Sequence, residues 1–339
     1  MILSLVAVLL IGAVAWAGAA AGHLTLLGMA LPLFAAAVFI CGFVRRVVGW
    51  AKSPVPFAIP TTGGQEKSLS WIRPNRLDTP MSTAGVVGRM LLEVLLFRSL
   101  FRNTRATVSA EGPQATYFSA KWLWLFALLF HYSFLVIFMR HFRFFIEPVP
   151  VCLTWLETLD GLMQVGLPRL FMTDVVIVVA LAFLLARRLL SGKLRYLSLP
   201  NDYFPLFLLL GIAGTGICMR YFDKVDVAQA KVFIMGVLTF TPQSAEGLSP
   251  IFFVHVALVS TLLICFPFSK LMHMGGIFLS PTRNMRCNTR EVRHVNPWNN
   301  PNAPYHTYAE YEDDFRDAMA EAGLPLEKEP APAGKASAE

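Results

Sequence analysis

The chain alternates long apolar blocks with shorter polar ones, and six of the blocks carry almost no charge: residues 2–22, 24–44, 122–146, 171–190, 203–222 and 251–279. A hydrocarbon layer of about 30 Å needs roughly 20 apolar residues at about 1.5 Å each. Each block therefore predicts a membrane-spanning helix. Only His23 separates the first two, so they read as a hairpin with a tight turn near Gly22. The small residues at 17–21 would suit a signal-peptide cleavage site, but no Lys or Arg precedes the run, so the first helix is expected to be retained. The last block contains Pro267, which predicts a kink.

Between the second and third blocks, residues 45–121 are polar by comparison. Within them, Val86 to Arg102 is apolar at most positions, with Arg89, Glu93, Arg98 and Arg102 four or five apart. That spacing places the charges on one stripe of a helix lying in the membrane interface, or packed on a partner. Basic residues set the orientation. Eleven Lys/Arg fall in 45–121, four in 187–202 and five in 270–293. The segment 147–170 has only Arg169 against Glu147, Glu157 and Asp160, and 223–250 has Lys224 and Lys231. The positive-inside rule puts the basic segments and both termini in the cytoplasm. The expected fold class is an all-α polytopic transmembrane bundle of six spans in the cytoplasmic membrane. It divides into an N-terminal hairpin (1–44), a cytoplasmic loop with the amphipathic helix (45–121), a four-helix core (122–279) and a polar cytoplasmic tail (280–339). The end of the tail, 330–339, reads as disordered.

Composition agrees. Of 339 residues, 55% are hydrophobic and 15% charged, which excludes a disordered chain and an ordinary water-soluble domain. The net charge of +7 fits loops on an anionic membrane face rather than nucleic-acid binding. Five cysteines without a C-x-x-C offer no iron–sulfur or zinc site, and without C-x-x-C-H no covalent c-type haem; they read as small buried hydrophobes. No nucleotide-binding loop or Ser/His/Asp pattern is present, so any redox chemistry belongs to cofactors.

Four of seven histidines lie inside two blocks: His131 and His141 in the third, His255 and His273 in the sixth. An ionisable group in a span is a functional candidate, and neutral imidazole is the usual haem-iron ligand. His131 and His141 are ten residues apart, about 15 Å along a helix. His255 and His273 are eighteen apart, about 27 Å and five whole turns. The two spans run in opposite directions. His131 thus meets His273 toward the cytoplasm, and His141 meets His255 toward the outside. Each pair could hold one b-type haem. The unequal separations must be absorbed by tilt or by a kink at Pro267. Interhelical hydrogen bonding, or proton or metal relay in a transporter, is the alternative use of four such histidines.

This histidine spacing resembles the dihaem cytochrome b subunit of respiratory nitrate reductases, the gamma subunit. The added N-terminal hairpin and the tail Arg290-Glu-Val-Arg-His-Val-Asn-Pro-Trp298 are similar to the DsrM-type membrane cytochromes b of the sulfite-reduction-associated complex. The membrane subunit of heterodisulfide reductase is a close alternative. The resemblance spans roughly residues 84–300. It implies a quinol-oxidising subunit of a larger oxidoreductase, with two haems b ligated by His131, His273, His141 and His255. It also implies menaquinol as electron donor and a cytoplasmic iron–sulfur subunit of heterodisulfide reductase type as receiver, with further membrane and periplasmic redox subunits. The pairing it implies agrees with the one derived from direction.

Other residues admit two readings. Arg140 and Arg143 flank His141 and would suit haem propionates or a quinone carbonyl, or else snorkel to the interface. Arg220 follows Gly211-x-x-Gly214-x-Gly216, glycines that permit close approach of a helix or a flat cofactor. Lys270 could meet a propionate, though snorkelling suits it better. Trp122, Trp124 and Trp155 fit an interfacial belt. His23, His294 and His306 read as loop histidines. Glu93 and the acidic run Glu310 to Asp317 read as solvated faces.

Overall fold

A computed structural model describes residues 1–53, 71, 73, 75–108, 115–161, 169–241, 243–288, 292, 295, 302 and 306–328. Two compact units result, one of residues 1–52 and 57–293, the other of 53–56 and 294–339.

The larger unit is helical. α1 (Ile2–Ala20) and α2 (Leu31–Ala51, preceded by a π-helical turn Leu26–Ala30) form the expected hairpin. Gly22 makes the corner at φ +83°, a conformation a side chain would resist. α3 (Thr83–Leu96) begins at Ser82, whose side chain accepts from Gly85 N–H, and α4 (Arg98–Phe101) follows it directly. A hairpin of β1 (Thr104–Val108) and β2 (Ala115–Ser119) pairs antiparallel with Thr104 opposite Ser119. α5 (Lys121–His141) is the third expected span, and a short 3-10 turn ends it at Phe144. α6 (Val151–Asp160), α7 (Met172–Leu190), α8 (Gly192–Leu197), α9 (Pro200–Tyr221), α10 (Val227–Leu238) and α11 (Pro250–Cys265) complete the bundle. α12 (His273–Leu279) and α13 (Pro281–Asn284) follow.

α5 packs on α7, α7 on α9, and α9 on α11, while α1 and α2 close the bundle against α11. The N-terminal hairpin is therefore part of the core: Val8 and Ala15 share a buried cluster with Leu208, Val254, Ala257 and Leu258. Leu9, Leu10 and Val14 point outward on α1, as a lipid-facing stripe requires.

Three expectations need correction. Among the described residues five helices, rather than all six blocks, are long and apolar enough to cross a membrane by length and composition. The fourth block, 171–190, is present as α7, but Asp174 sits in its first turn and Arg187 and Arg188 in its last. Only twelve uncharged residues separate those charges, about 18 Å of helix. Second, the last block is broken, not kinked. α11 stops at Cys265, and the chain passes through two 3-10 turns joined by an extended Ser269 before α12 begins at His273. Pro267 lies in the first turn, where its missing N–H cannot continue an α-helix. Third, Val86 to Arg102 is two helices. Phe97 adopts a left-handed conformation (φ 50°, ψ 46°) that ends α3.

The α3 stripe is also turned the other way from expectation. Arg89 is fully buried and Glu93 nearly so, while Val87, Leu91, Leu95 and Leu96 are exposed. Arg89 donates to the carbonyls of Asp78 (2.8 Å), Thr282 (2.9 Å) and Met285 (3.1 Å). Glu93 accepts from the N–H and hydroxyl of Ser99. The Asp78 carboxylate is gripped by Arg98 and Arg102, each at 2.6 Å. Burial alone would raise this carboxyl; the two guanidiniums outweigh it and hold the group below its ordinary value. Cys287 N–H donates to the Pro80 carbonyl, closing the same junction.

In the smaller unit, α14 (Tyr308–Glu321) starts with a capping box between Thr307 and Glu310. Glu312 departs from the solvated reading. It is buried, accepts from the N–H groups of Glu327 and Lys328, and is thereby held below the usual carboxylate range. The expected disordered end 330–339, His294 and most of the Arg290–Trp298 motif lie outside the described residues.

Candidate functional site: two cross-helix histidine pairs

The pairs are labelled inner and outer after the orientation that the charge pattern predicts. In the inner pair, the rings of His131 and His273 have centroids 5.9 Å apart and planes at 81°. In the outer pair, His141 and His255 are 6.3 Å apart with planes at 11°. These are the two partnerships derived from helix direction. The break after Cys265 removes the mismatch between 15 Å and 27 Å, because His273 no longer lies on the axis of α11.

Each ring has its Nδ1 committed. His131 Nδ1 is 2.7 Å from Ala127 O, His141 Nδ1 2.7 Å from Ile137 O, and His273 Nδ1 2.9 Å from Lys270 O. A carbonyl can only accept, so these nitrogens carry the proton and Nε2 keeps the lone pair. His255 Nδ1 lies 2.9 Å from Thr215 Oγ1 on α9. In their neutral form the four imidazoles would each present one nitrogen lone pair to a metal.

The spacing fits a metal between the rings. Two metal–imidazole bonds of about 2 Å, with each nitrogen about 1.2 Å from its ring centre, would put the ring centres up to about 6.4 Å apart. Among the described residues, no group of three or more His, Cys, Asp or Glu gathers to hold a bare ion. Two ligands per site suit a metal whose remaining coordination comes from a macrocycle. Nor does α5 pack closely on α11 among the described residues; the outer imidazoles face each other across α5 and α11, and the inner ones across α5 and α12.

Aromatic rings flank the inner pair: Phe97 and Phe130 each meet His131 edge-on at 4.9 Å. Trp124 Nε1 and Tyr132 O–H donate to the carbonyls of Leu96 and Leu95, pinning the end of α3 to α5. Trp122 and Trp155 are largely exposed, as belt residues should be. Lys270 pairs with Asp202 at 2.6 Å.

Beside the outer pair lies a polar cluster that sequence reasoning only half found. Arg140 pairs with Asp160 at 2.6 Å and with Asp174 at 3.6 Å, and Arg143 with Glu157 at 2.7 Å. The Arg140 and Arg220 guanidiniums lie 3.4 and 3.8 Å from the centre of the Phe171 ring. Both cannot occupy one face at those distances, so they sandwich it. Asp160 takes three donors, from Thr173 N–H, Thr173 hydroxyl and Arg140. Asp174 accepts from Tyr221 O–H at 2.8 Å. Among the described residues, the buried Nε atoms of Arg140 and Arg220 have no hydrogen-bond partner. Asp160, Phe171, Asp174 and Tyr221 drew no functional notice in the sequence, since they stand 20 to 81 residues from Arg140 with no spacing to join them.

The cysteines carry no disulfide, and Cys41 and Cys152 are exposed rather than buried. His23 lies exposed in its turn, and His306 is 3.9 Å from Glu310.

Fold and site together define a multi-pass helical membrane protein with two cross-helix histidine pairs. The family of nitrate reductase gamma subunits matches residues 85–289, which include all four histidines. An Hdr-like menaquinol oxidoreductase cytochrome b-like subunit of Archaeoglobus fulgidus is 45% identical over 284 residues, 82% of this chain and 84% of that protein. The protein of the same name from Archaeoglobus profundus is 45% identical over 283 residues, 81% of this chain and 83% of its own. The respiratory nitrate reductase 1 gamma chain of Escherichia coli is 27% identical over 157 residues, 44% of this chain and 69% of its length. The chain belongs to the nitrate reductase gamma subunit family.

Proposed function

We propose that this chain is the quinol-oxidising cytochrome b subunit of a membrane redox complex, binding one haem b between His131 and His273 and another between His141 and His255. The observation that carries the reading is the pair of ring separations, 5.9 and 6.3 Å, with every Nδ1 already engaged. Bound there, the haems supply one-electron centres on either side of the bilayer. The chain's own part is to hold Nε2 of each histidine in place and to shield the inner pair with Phe97 and Phe130.

The electron donor in this reading is menaquinol, in keeping with the names of the two archaeal relatives. Its site is the polar cluster beside the outer pair. Asp160 is saturated by three donors and serves to fix Arg140. Asp174 keeps accepting capacity and is the carboxylate assigned to take the quinol proton, with Tyr221 orienting it. Arg140 and Arg220 offer buried Nε–H groups to the quinone oxygen. Arg143 stays on Glu157, away from that role. Electrons leave at the inner pair to a cytoplasmic iron–sulfur subunit of heterodisulfide reductase type, within a larger complex of dissimilatory sulfur metabolism. The "Hdr-like" name of the relatives supports the partner. The resemblance to sulfite-reduction cytochromes supports the pathway.

The test is to add a reduced menaquinone analogue to the purified oxidised chain and follow the b-type absorption. Reduction of bound haem by the quinol is expected. Haem that dithionite reduces and quinol does not would overturn the quinol assignment.

A further inference from the structure

Three of the four histidines are held by a carbonyl of their own chain segment, and the fourth is met from another helix. His131, His141 and His273 each give Nδ1–H to a carbonyl of their own chain segment, three or four residues earlier. No substitution deletes those acceptors. His255 is met from a different helix, α9, by the side chain of Thr215 at 2.9 Å and by the backbone of Ile212.

The hydrogen-bond count at Thr215 fixes the direction. Its Oγ1 is 2.8 Å from Gly211 O and 3.0 Å from Ile212 O, and 2.9 Å from His255 Nδ1. The hydroxyl has one proton, and a threonine within a helix gives it to a carbonyl one turn back. Its oxygen is then an acceptor toward His255, so Nδ1 carries the proton and Nε2 the lone pair. A hydroxyl that is itself donating is a better acceptor, because the two bonds polarise each other. Gly211 and Gly216 face α11 across ordinary contact distances. A Cβ at Gly216 would lie 3.5 Å from His255 Cε1, and one at Gly211 would lie 3.4 Å from Leu258 of α11.

We propose that Thr215 is the positioning residue of the outer site: its hydroxyl oxygen accepts the His255 Nδ1–H, locks the ring in the Nε2-ligating tautomer and raises the donor strength of that nitrogen. The proposal rests on the dihaem reading above. An acceptor on the far nitrogen makes imidazole a stronger ligand and favours the oxidised metal. Thr215 therefore holds the outer haem at a lower potential than the same histidine would give alone. Among the described residues it is the one side-chain support of the four rings, and a point substitution can remove it while both ligands remain.

The experiment is a potentiometric titration of the purified chain followed by visible spectroscopy, on wild type, Thr215→Val and Thr215→Ser. Valine keeps the shape and deletes the hydroxyl; serine keeps the hydroxyl. The same substitutions are made with His131→Ala, which leaves the outer haem alone and assigns its potential. The expected result is two haems in all three single-site chains, a positive shift of the outer potential in Thr215→Val only, and an unmoved inner potential. Loss of the outer haem in Thr215→Val with retention in Thr215→Ser also supports the role. An unchanged outer potential in Thr215→Val, or equal shifts in the valine and serine variants, overturns it. A wild-type chain with no b-type absorption overturns it together with the dihaem reading.

Discussion

The two histidine pairs are built by different means. The outer pair sits on uninterrupted helices: His141 is the last residue of α5 and His255 lies in the second turn of α11. A third helix, α9, braces His255 through Thr215. Its rings are within 11° of parallel. The inner pair joins a helix to a break. His273 opens a short helix after two 3-10 turns, and the planes stand at 81°. What steadies that end is the Arg89 clamp, which ties residues 282–285 to α3. Packed helices thus fix the outer site, whereas hydrogen bonds from the polar segment 75–102 hold the chain that follows the inner one. The end expected to meet a cytoplasmic partner is the end whose geometry depends on non-spanning structure.

The sharpest way to break the comparison is to remove ligands one at a time. His131→Ala and His273→Ala should each abolish one haem and spare the other. His141→Ala and His255→Ala should abolish the complementary one, as read by haem content and the reduced spectrum. If His131→Ala and His141→Ala remove the same haem, the pairing is wrong. Next in size is Asp174→Asn. It should keep both haems and slow reduction by quinol by about 10²–10⁴-fold, the usual loss for a positioned proton acceptor. A stopped-flow trace with quinol, beside one with dithionite, decides it; equal slowing with both reductants would point to lost structure instead.

Arg89→Met should affect one end only. It strands three carbonyls and costs about 2–4 kcal/mol locally. The inner haem should become labile in detergent while the outer one stays, and proteolysis near residues 280–288 should quicken. Orientation is tested by reporters. One fused in 187–202 should read cytoplasmic and one in 223–250 external; a reversal would put the clamp on the wrong side for a cytoplasmic partner. The smallest effect concerns acid. Asp78 has a lowered folded pKa, so its stabilisation is complete above the unfolded carboxylate value of about 4. It is lost as pH falls through the lowered folded value. Asp78→Asn should flatten the acid limb of the unfolding midpoint against pH, and an unchanged limb would place the acid sensitivity elsewhere.

Much of the site was legible because helices impose direction and period. Ten- and eighteen-residue intervals on two antiparallel spans were enough to pair the histidines. Pro267 marked the weak point of the last block, but a proline signals only interruption. Whether the helix bends or stops depends on neighbours such as Phe39, which meets Phe266 at 5.4 Å. The stripe of α3 was visible as a period, yet a period does not say which face is buried. In a membrane-edge helix the usual rule inverted, with charge inside and Leu91 and Leu95 outside. The Asp160–Asp174–Tyr221 cluster and the Thr215 contact join residues up to 61 positions apart, through side-chain geometry that no local pattern encodes.

The most direct test of the central claim is a dithionite-reduced minus oxidised visible spectrum of the purified chain, with haem quantified per polypeptide. Two low-spin b-type haems per chain are expected from two bis-histidine sites. A folded chain, made with ample haem supply, that carries none would contradict the account and leave the paired histidines as interhelical hydrogen-bonding or relay groups.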